Sequence, residues 1–392
     1  MLKYLKFEYF IIAFWFACII YYMFGAGSYL YYNTSPLLDV ISLFLIVKYK
    51  ARFTGPVDII YKLTILATIS SMIGYLGFSN PHYSYIQYLS YGISAYLACM
   101  ASFSFISKTG EEGLKAFYLF FTIIYILGVY WFYRTNALID NILIQNNGFY
   151  YALFTLPFIL LYNNRTINIT CILISSAVCV FSTKRSAFLA AILMISIYIL
   201  FSFKGSLKSK IRNIFATSIL LIGGGYYLAS RYMGDHLLRV FDRLNQISED
   251  GGSGRTDIAS TIIQKDLPDL LSFPELFLGN GFSAIQNKYQ YTLEAAHDDF
   301  LEILYSYGSI GLILLLVFYY RIFKLYKTCK RDYPHEAMVV LIIFVIIFMY
   351  AFMANIFYFF CYSIPLFITI GAVEGLQVYR YNRNIGKMSI CD

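Results

Sequence analysis

Long apolar runs, each followed by a short polar segment, recur along almost the whole chain. Such runs can cross the ~30 Å hydrocarbon core of a bilayer as α-helices. The pattern predicts an all-α polytopic membrane protein with about twelve spans, to within a few residues at each end. They lie at 8–24, 37–48, 57–78, 84–106, 114–133, 148–162, 167–182, 186–203, 213–229, 299–323, 337–354 and 357–379. The N-terminal run lacks a small-residue cleavage site, which favours a retained first span over a signal peptide.

One long polar stretch, Ser230 to Asp298, interrupts the pattern. It contains two of the four histidines, His236 and His297, and its apolar positions between 236 and 247 fall on one helical face. We therefore expect a partly helical loop outside the bilayer. The chain divides into 1–229 with spans one to nine, 230–298 as the loop, 299–379 with spans ten to twelve, and a tail at 380–392.

Lysine and arginine residues are unevenly distributed between the two predicted sides. The segments on one side carry twenty of them, and the short loops on the other side carry three, Arg134, Lys184 and Arg185. The positive-inside rule then predicts cytoplasmic termini and places the 230–298 loop on the outer face. The net charge of +8 follows from this topology and does not indicate a nucleic-acid partner.

Composition and motifs narrow the class of protein. Hydrophobic residues make up 59% of the chain and charged residues 13%, which is far from the composition of a soluble domain. The cysteines fall in predicted spans or on the inner side without a CxxC pair, so neither a loop disulfide nor a zinc site is predicted. The chain has no phosphate-binding glycine motif, and this argues against an ATP-driven pump. It also has no internal repeat, and this argues against a transporter built from inverted repeats.

Two arginines are predicted at helix starts, where a cation opposes the helix dipole. Arg185 follows Lys184 at the outer end of span eight, and Arg255 follows Ser253, a predicted N-cap. Guanidinium and helix N–H groups together suit an anion. Each site has an alternative to anion binding. Lys184 and Arg185 can instead reach lipid headgroups. Arg255 can instead form an ion pair with a loop acid such as Asp257.

The segment AAHDDFLEILYSYGSIGL places His297 where water meets span ten. On a helix, four polar residues share one stripe at the start of that span: Asp298, Glu302, Tyr305 and Ser309. Glu302, about one turn inside the bilayer, needs a partner or a water-filled cavity. A histidine beside carboxylates is a candidate for proton transfer, although a structural histidine is equally compatible with the pattern. The Asp298–Asp299 pair alone is a weak signal for a divalent metal.

Three blocks occur in a fixed order: STKRSAFLAAIL, then GSGRTDIA with the glycine turn LGNGF, then AHDDFLEILYSYGSIGL. In order, spacing and topology they resemble the bacterial O-antigen ligase and O-antigen or capsule polymerase family of polytopic inner-membrane glycosyltransferases. The resemblance covers roughly Ile167 to Leu325, and the first half of the chain matches only by being hydrophobic. Family members often have Asn where this chain has Asp298.

The resemblance implies a GT-C-like fold and a reaction on the outer face of the bacterial inner membrane. The donor would be an oligosaccharide linked through diphosphate to undecaprenol. Arg185 and Arg255 would grip the diphosphate, and His297 would accept the proton of the attacking hydroxyl. Lys184, Asp298 and Glu302 would be helpers. No cofactor and no metal are implied, and a chain-length regulator is an expected partner.

Polymerisation of repeat units is preferred over ligation to lipid A–core, because each polysaccharide type needs its own polymerase. A transporter or flippase of lipid-linked sugar is the alternative from another class. It would place its key charges within the spans rather than at the outer face.

Overall fold

The computed structural model describes the chain over 2–24, 31–77, 85–138, 148–182, 184–202, 208–216, 260–264, 275–282, 284–285, 296–353, 356–357 and 360–388, with the single residues 206 and 219. Across these ranges the structure is about 90% helical and contains no strand. The helices are α1 Leu2–Phe24, α2 Tyr31–Tyr49, α3 Gly55–Gly77, α4 Tyr85–Thr109, α5 Glu111–Leu138, α6 Phe149–Leu160, α7 Arg165–Phe181, α8 Arg185–Ser202, α9 Glu275–Leu278, α10 Asp299–Asp332, α11 Pro334–Ala351 and α12 Phe360–Met388.

Six of the described helices are long and apolar enough to cross a membrane: α1, α3, α4, α5, α10 and α11. Helices α6, α7 and α8 are apolar but shorter. The all-helical membrane class is therefore confirmed, whereas a total of twelve spans stays a prediction. Every predicted span coincides with a described helix except 213–229, of which only the first few residues lie in the described ranges.

The described residues form two compact units. The first is drawn from 1–120, 258–325 and 350–392, and the second from 121–257 and 326–349. Each unit is built from neighbouring helices with its own buried core.

The first unit is organised around α4, which packs against α2, α3 and α12. Small residues make this possible, because they allow helix backbones to approach closely inside a membrane. In α12, Gly371 and Gly375 form a GxxxG pair, and a Cβ at Gly371 would overlap the carbonyl of Cys99 in α4. Ser102 adds a hydrogen bond to the Ile368 carbonyl across the same contact, at 3.1 Å.

At one end of the first unit, polar contacts join α12 to the α2–α3 connection and to the start of α5. Glu374 of α12 accepts hydrogen bonds from Thr54 Oγ1 at 2.7 Å and from Val57 N at 3.2 Å, which fixes the connection between α2 and α3. Arg380 pairs with Glu111 at 3.2 Å. The basic residues of the connections at this end are those that the sequence predicts on the cytoplasmic side.

The second unit contains α6, α7 and α8 in sequence-adjacent packing. Every residue of α6 is buried, and its Phe158 ring stacks on Phe121 with centroids 3.8 Å apart. His335, at the start of α11, contacts the last turn of α6 through Nε2, which donates to the Leu160 carbonyl at 2.5 Å. These contacts build a core in which α6 is the central, fully enclosed element.

Candidate functional site

The segment from Glu275 to Phe282 docks onto a break in α10 within the first unit. At Gly308 the backbone of α10 has φ 66° and ψ −168°, which is not helical. The carbonyls of Tyr305 and Ser306 instead accept hydrogen bonds from the backbone N–H groups of Asn280 at 3.0 Å and Gly281 at 2.8 Å. The sequence prediction of one continuous polar stripe through Ser309 is therefore wrong, because the helix is interrupted one residue before it.

Glycines allow this docking, as the LGNGF motif predicts. Gly279 and Gly281 both adopt positive φ, at 70° and 88°. A Cβ at Gly279 would overlap the backbone of Ser306, and a Cβ at Gly308 would overlap that of Phe277. Two backbones thus meet without side chains between them. The same segment is held from α3 as well, where Ser71 Oγ accepts from Phe282 N at 3.3 Å.

His297 lies immediately before α10 and is half-buried. Its φ is 54°, and Lys50 is the other non-glycine residue with positive φ in the part of the chain that the structure describes. This conformation is uncommon for residues with a side chain, although His, Asn and Asp tolerate it best, and it persists only where the surroundings enforce it. The backbone on both sides of His297 is held by carboxylates.

Glu302 holds the N-terminal side of His297. Its Oε2 accepts from the backbone N–H of Ala296 at 2.8 Å, and Ser306 donates to its Oε1 at 3.4 Å. The carboxylate is 3% exposed. Ala296 is itself packed in an apolar cluster with Tyr305 and Ile285. A buried acid at this position needs a partner, and the partner of Glu302 is the backbone amide of Ala296. Through this contact, Glu302 positions the segment that contains His297.

Asp298 holds the backbone on the C-terminal side of His297. Its Oδ1 accepts from the backbone N–H groups of Phe300 at 2.8 Å and Leu301 at 3.0 Å, which is the hydrogen bonding of a helix N-cap. Its carbonyl also accepts from Glu302 N at 2.9 Å. The helix start is therefore fixed directly after His297.

Asp299 is fully buried and binds a distant part of the chain. Its two oxygens accept from the backbone N–H groups of Ile356 at 3.2 Å and Phe357 at 3.1 Å. The connection between α11 and α12 is thereby anchored to the start of α10. Both members of the Asp298–Asp299 pair thus accept hydrogen bonds from backbone amides.

The remaining predicted site residues belong to the second unit or lie outside the described ranges. Arg185 is the first residue of α8, as the sequence predicts. Lys184 is half-buried, and its Nζ lies 5.4 Å from the ring centre of Tyr150 and 5.9 Å from that of Phe149. These cation–π contacts give Lys184 a structural role in the α6–α8 core. Arg255 lies outside the described residues.

The sequence prediction missed one buried acid. Asp39 of α2 is 7% exposed, and its Oδ2 accepts from Ser90 Oγ at 2.6 Å, while its Oδ1 has no hydrogen-bond partner in the structure. Ser35 contacts the same serine hydroxyl at 2.9 Å. The signal was present in the sequence, since an acid within an apolar run is costly and marks a site worth attention.

Comparison with known proteins gives no further assignment. The chain matches no model of a known protein family, and no characterised protein is significantly similar to it.

Proposed function

We propose that this protein is a membrane glycosyltransferase that polymerises oligosaccharide repeat units carried on undecaprenyl diphosphate, on the outer face of the bacterial inner membrane. The observation that supports the proposal best is the placement of His297. It is a half-buried imidazole in a rare backbone conformation, at the boundary of a membrane helix, held on both sides by buried or capping carboxylates. The motif order in the sequence supplies the substrate class.

In the proposed reaction, a sugar hydroxyl of the acceptor attacks the anomeric carbon of the donor glycan. The bond from that carbon to the diphosphate oxygen breaks, and undecaprenyl diphosphate leaves with the electron pair. His297 takes the proton of the attacking hydroxyl, as a general base does. Arg185 and Arg255 offset the charge that builds on the departing diphosphate.

The fixed backbone around His297 fits this role, because a general base must be held within hydrogen-bond reach of the proton it removes. Asp298, Asp299 and Glu302 each accept backbone hydrogen bonds. Asp298 and Glu302 position the His297 segment, whereas Asp299 anchors the α11–α12 connection. The imidazole is the group of this segment that is best suited to accept a proton. Ligation of the glycan to lipid A–core would use the same chemistry with a different acceptor.

A transporter of lipid-linked sugar is the second candidate, and the Asp39 cluster favours it. A carboxylate and serine hydroxyls buried between α2 and α4 form the kind of intramembrane polar group that couples ion or proton movement to transport. Flux of a labelled lipid-linked sugar across proteoliposomes, abolished by Asp39→Asn and retained by His297→Ala, would establish this function instead.

The decisive experiment is an elongation assay with the purified full-length protein and a lipid-linked repeat unit. We expect His297→Ala to lower the rate of glycosyl transfer by about 10²–10⁴-fold, which is the usual effect of losing a general base. Binding of the donor and the melting temperature should stay close to those of the wild type. His236→Ala, in the polar loop and outside the described residues, is the matched control and should elongate normally.

Elongation by His297→Ala at a rate near that of the wild type would refute the assignment of the base. The glycan ladder of a deletion strain separates the two transfer reactions. A strain that retains a single repeat unit but no ladder lacks a polymerase, whereas a strain with lipid-linked polymer but no surface glycan lacks a ligase.

A further inference from the structure

The second unit contains a pocket of about 300 Å³, independent of the residues proposed for glycosyl transfer. It forms where the turn between α6 and α7, the end of α8 and the start of α11 meet. Tyr198 and Met338 are buried at its wall, whereas Arg165 and Ser202 are exposed at its rim. A buried wall and an exposed rim give the pocket an entrance from solvent or from the membrane interface.

Asn168 lines this pocket and carries an unpaired acceptor. The residue is 2% exposed, and its Oδ1 has no hydrogen-bond partner in the structure. A buried polar atom without a partner costs roughly 1–3 kcal/mol, so nearly all such atoms in proteins are paired. A ligand with a hydroxyl or another donor would complete this acceptor.

The rim of the pocket favours negative charge. Arg165 supplies a guanidinium, which matches the geometry of phosphate oxygens. The N-terminal ends of α7 and α11 also meet here, and the positive ends of helix dipoles attract anions. Asn164 already caps two N–H groups of α7, at 3.1 and 3.2 Å, so the attraction comes from Arg165 and the dipoles rather than from open amides.

The surroundings of the pocket are basic as well. Lys210 donates to the Leu200 carbonyl at 2.6 Å, which neutralises the negative end of α8 beside the pocket. Further cations lie on the adjoining segments: Lys208, Arg212, Lys327, Lys330 and Arg331. Among the described residues of this end, Asp332 and Glu336 are the acids, and Asp332 pairs with Arg331 at 3.0 Å. A net negative ligand is therefore favoured over a zwitterionic one.

Two side chains that line the pocket are held by contacts with neighbouring helices. The His335 ring is fixed by the bond from Nε2 to the Leu160 carbonyl at 2.5 Å. The Phe201 ring packs edge-on against Tyr326, with centroids 6.5 Å apart. A cavity with both polar and apolar lining at the ends of apolar helices has the character of the membrane–water interface.

We propose that this pocket binds the headgroup of an anionic phospholipid whose headgroup ends in hydroxyls, of the phosphatidylglycerol type. Arg165 contacts the phosphodiester, and a headgroup hydroxyl donates to Asn168 Oδ1. The acyl chains extend along the apolar helices. The charge bias of the sequence predicts that this end of the chain faces the cytoplasmic leaflet, whose anionic lipids attract such basic segments.

The proposal is tested with the purified, delipidated full-length protein and short-chain phospholipids, by measuring Kd and the shift in melting temperature. Four lipids separate the chemical features: dihexanoyl phosphatidylglycerol, phosphatidylmethanol, phosphatidylethanolamine and phosphatidylcholine. Phosphatidylmethanol has the same phosphodiester without a headgroup hydroxyl. Free glycerol phosphate tests a soluble ligand in place of a lipid.

We expect phosphatidylglycerol to raise the melting temperature and to bind about fivefold tighter than phosphatidylmethanol, since one hydrogen bond is gained. It should bind about tenfold tighter than either zwitterionic lipid. Arg165→Gln should weaken its binding at least tenfold, because a charge-assisted contact is lost. Arg212→Gln removes a charge at the same end outside the pocket and should leave Kd within about twofold.

Asn168→Leu should bind phosphatidylglycerol and phosphatidylmethanol equally. Equal binding of all four lipids to the wild type, or tighter binding of phosphatidylethanolamine, would overturn the proposal without any variant. Equal losses in Arg165→Gln and Arg212→Gln would reduce the site to general surface attraction. Glycerol phosphate that binds as tightly as the lipid would show a soluble ligand and would also overturn it.

Discussion

Two regions of this protein bury hydrogen-bond acceptors among apolar helices. In one region the acceptors are hydrogen-bonded within the chain, and in the other an acceptor has no partner. At the start of α10, the buried carboxylates of Asp299 and Glu302 accept backbone N–H groups from the chain itself. In the pocket of the second unit, the buried Asn168 leaves Oδ1 without a partner. An acceptor that is satisfied within the chain stabilises a fixed backbone, whereas an unsatisfied one at a cavity wall is available to a ligand.

The contrast is tested most severely at Asp299. Removing its carboxylate in Asp299→Ala leaves two buried backbone N–H groups, those of Ile356 and Phe357, without an acceptor. Each unpaired group costs about 1–3 kcal/mol, so we expect the free energy of unfolding to fall by about 2–6 kcal/mol. Chemical denaturation in detergent measures this.

The neighbouring Asp298→Ala is the control for Asp299, because it removes a half-buried helix cap and should cost about 1 kcal/mol. If the two variants are equally stable, the contact between Asp299 and the α11–α12 connection contributes no more than a single helix cap, and the first half of the comparison fails.

The next largest effect is expected at the break in α10. In Gly308→Ala, the new Cβ would overlap the backbone of Phe277, and alanine would have to adopt φ 66°. This combination of φ 66° and ψ −168° is essentially restricted to glycine and costs about 1–3 kcal/mol for alanine. Relief of the overlap also requires the 275–282 segment to shift. We therefore expect a loss of about 2–4 kcal/mol in the free energy of unfolding, and weaker elongation if this segment supports the site.

Gly92→Ala provides the matched control for Gly308. Gly92 faces Phe282 of the same docked segment, but a Cβ there would meet its nearest atom at 3.4 Å, an ordinary contact. It lies within α4, where alanine is preferred over glycine by about 0.5–1 kcal/mol. A gain or no change is expected, and equal losses in both variants would mean that the segment rejects any added volume.

Glu302 separates positioning from catalysis. Glu302→Gln can still accept from Ala296 N with a neutral oxygen, whereas Glu302→Leu cannot, and the stability difference between them should be about 1–2 kcal/mol. If the carboxylate acts by holding His297, the Gln variant keeps most of the wild-type kcat and the Leu variant loses roughly tenfold or more, with KM for the donor unchanged. Equal loss of kcat in Gln and Leu would instead assign Glu302 a role as a charged group.

The positions of most helices can be predicted from the local pattern of apolar and polar residues. The hydrogen-bond partners of the buried groups cannot be predicted in this way. The apolar run is enough to predict a span that begins at 299, and the two glycines of LGNGF are enough to predict a turn at 278–282. The partners of Asp299 lie 57 and 58 residues further along the chain. No periodicity encodes such a pairing, because it depends on how helices pack.

The pocket could not be predicted from the sequence for the same reason. Its lining comes from three separate stretches, near 163–168, 198–202 and 334–338, and only tertiary packing brings them together. Asp39 is a different case, since an acid within an apolar run is visible in the sequence. The identity of Ser90 and Ser35 as its neighbours again required the packing of α2 against α4.

The smallest expected effect tests the second half of the comparison. Asn168→Leu replaces an unpaired buried acceptor by an apolar side chain of similar shape, and such replacements are neutral or stabilising. In delipidated protein we expect the free energy of unfolding to stay constant or to rise by up to about 1 kcal/mol.

Four residues earlier, Asn164→Leu removes a side chain that accepts from Thr166 N and Ile167 N, and it should cost about 1 kcal/mol. Both changes remove a side-chain amide near the start of α7. The difference between their effects on the free energy of unfolding therefore shows whether the side-chain oxygen is hydrogen-bonded within the protein. A loss in Asn168→Leu as large as that in Asn164→Leu would mean that Oδ1 is satisfied by the protein, and the pocket would then have no reason to recruit a hydroxyl.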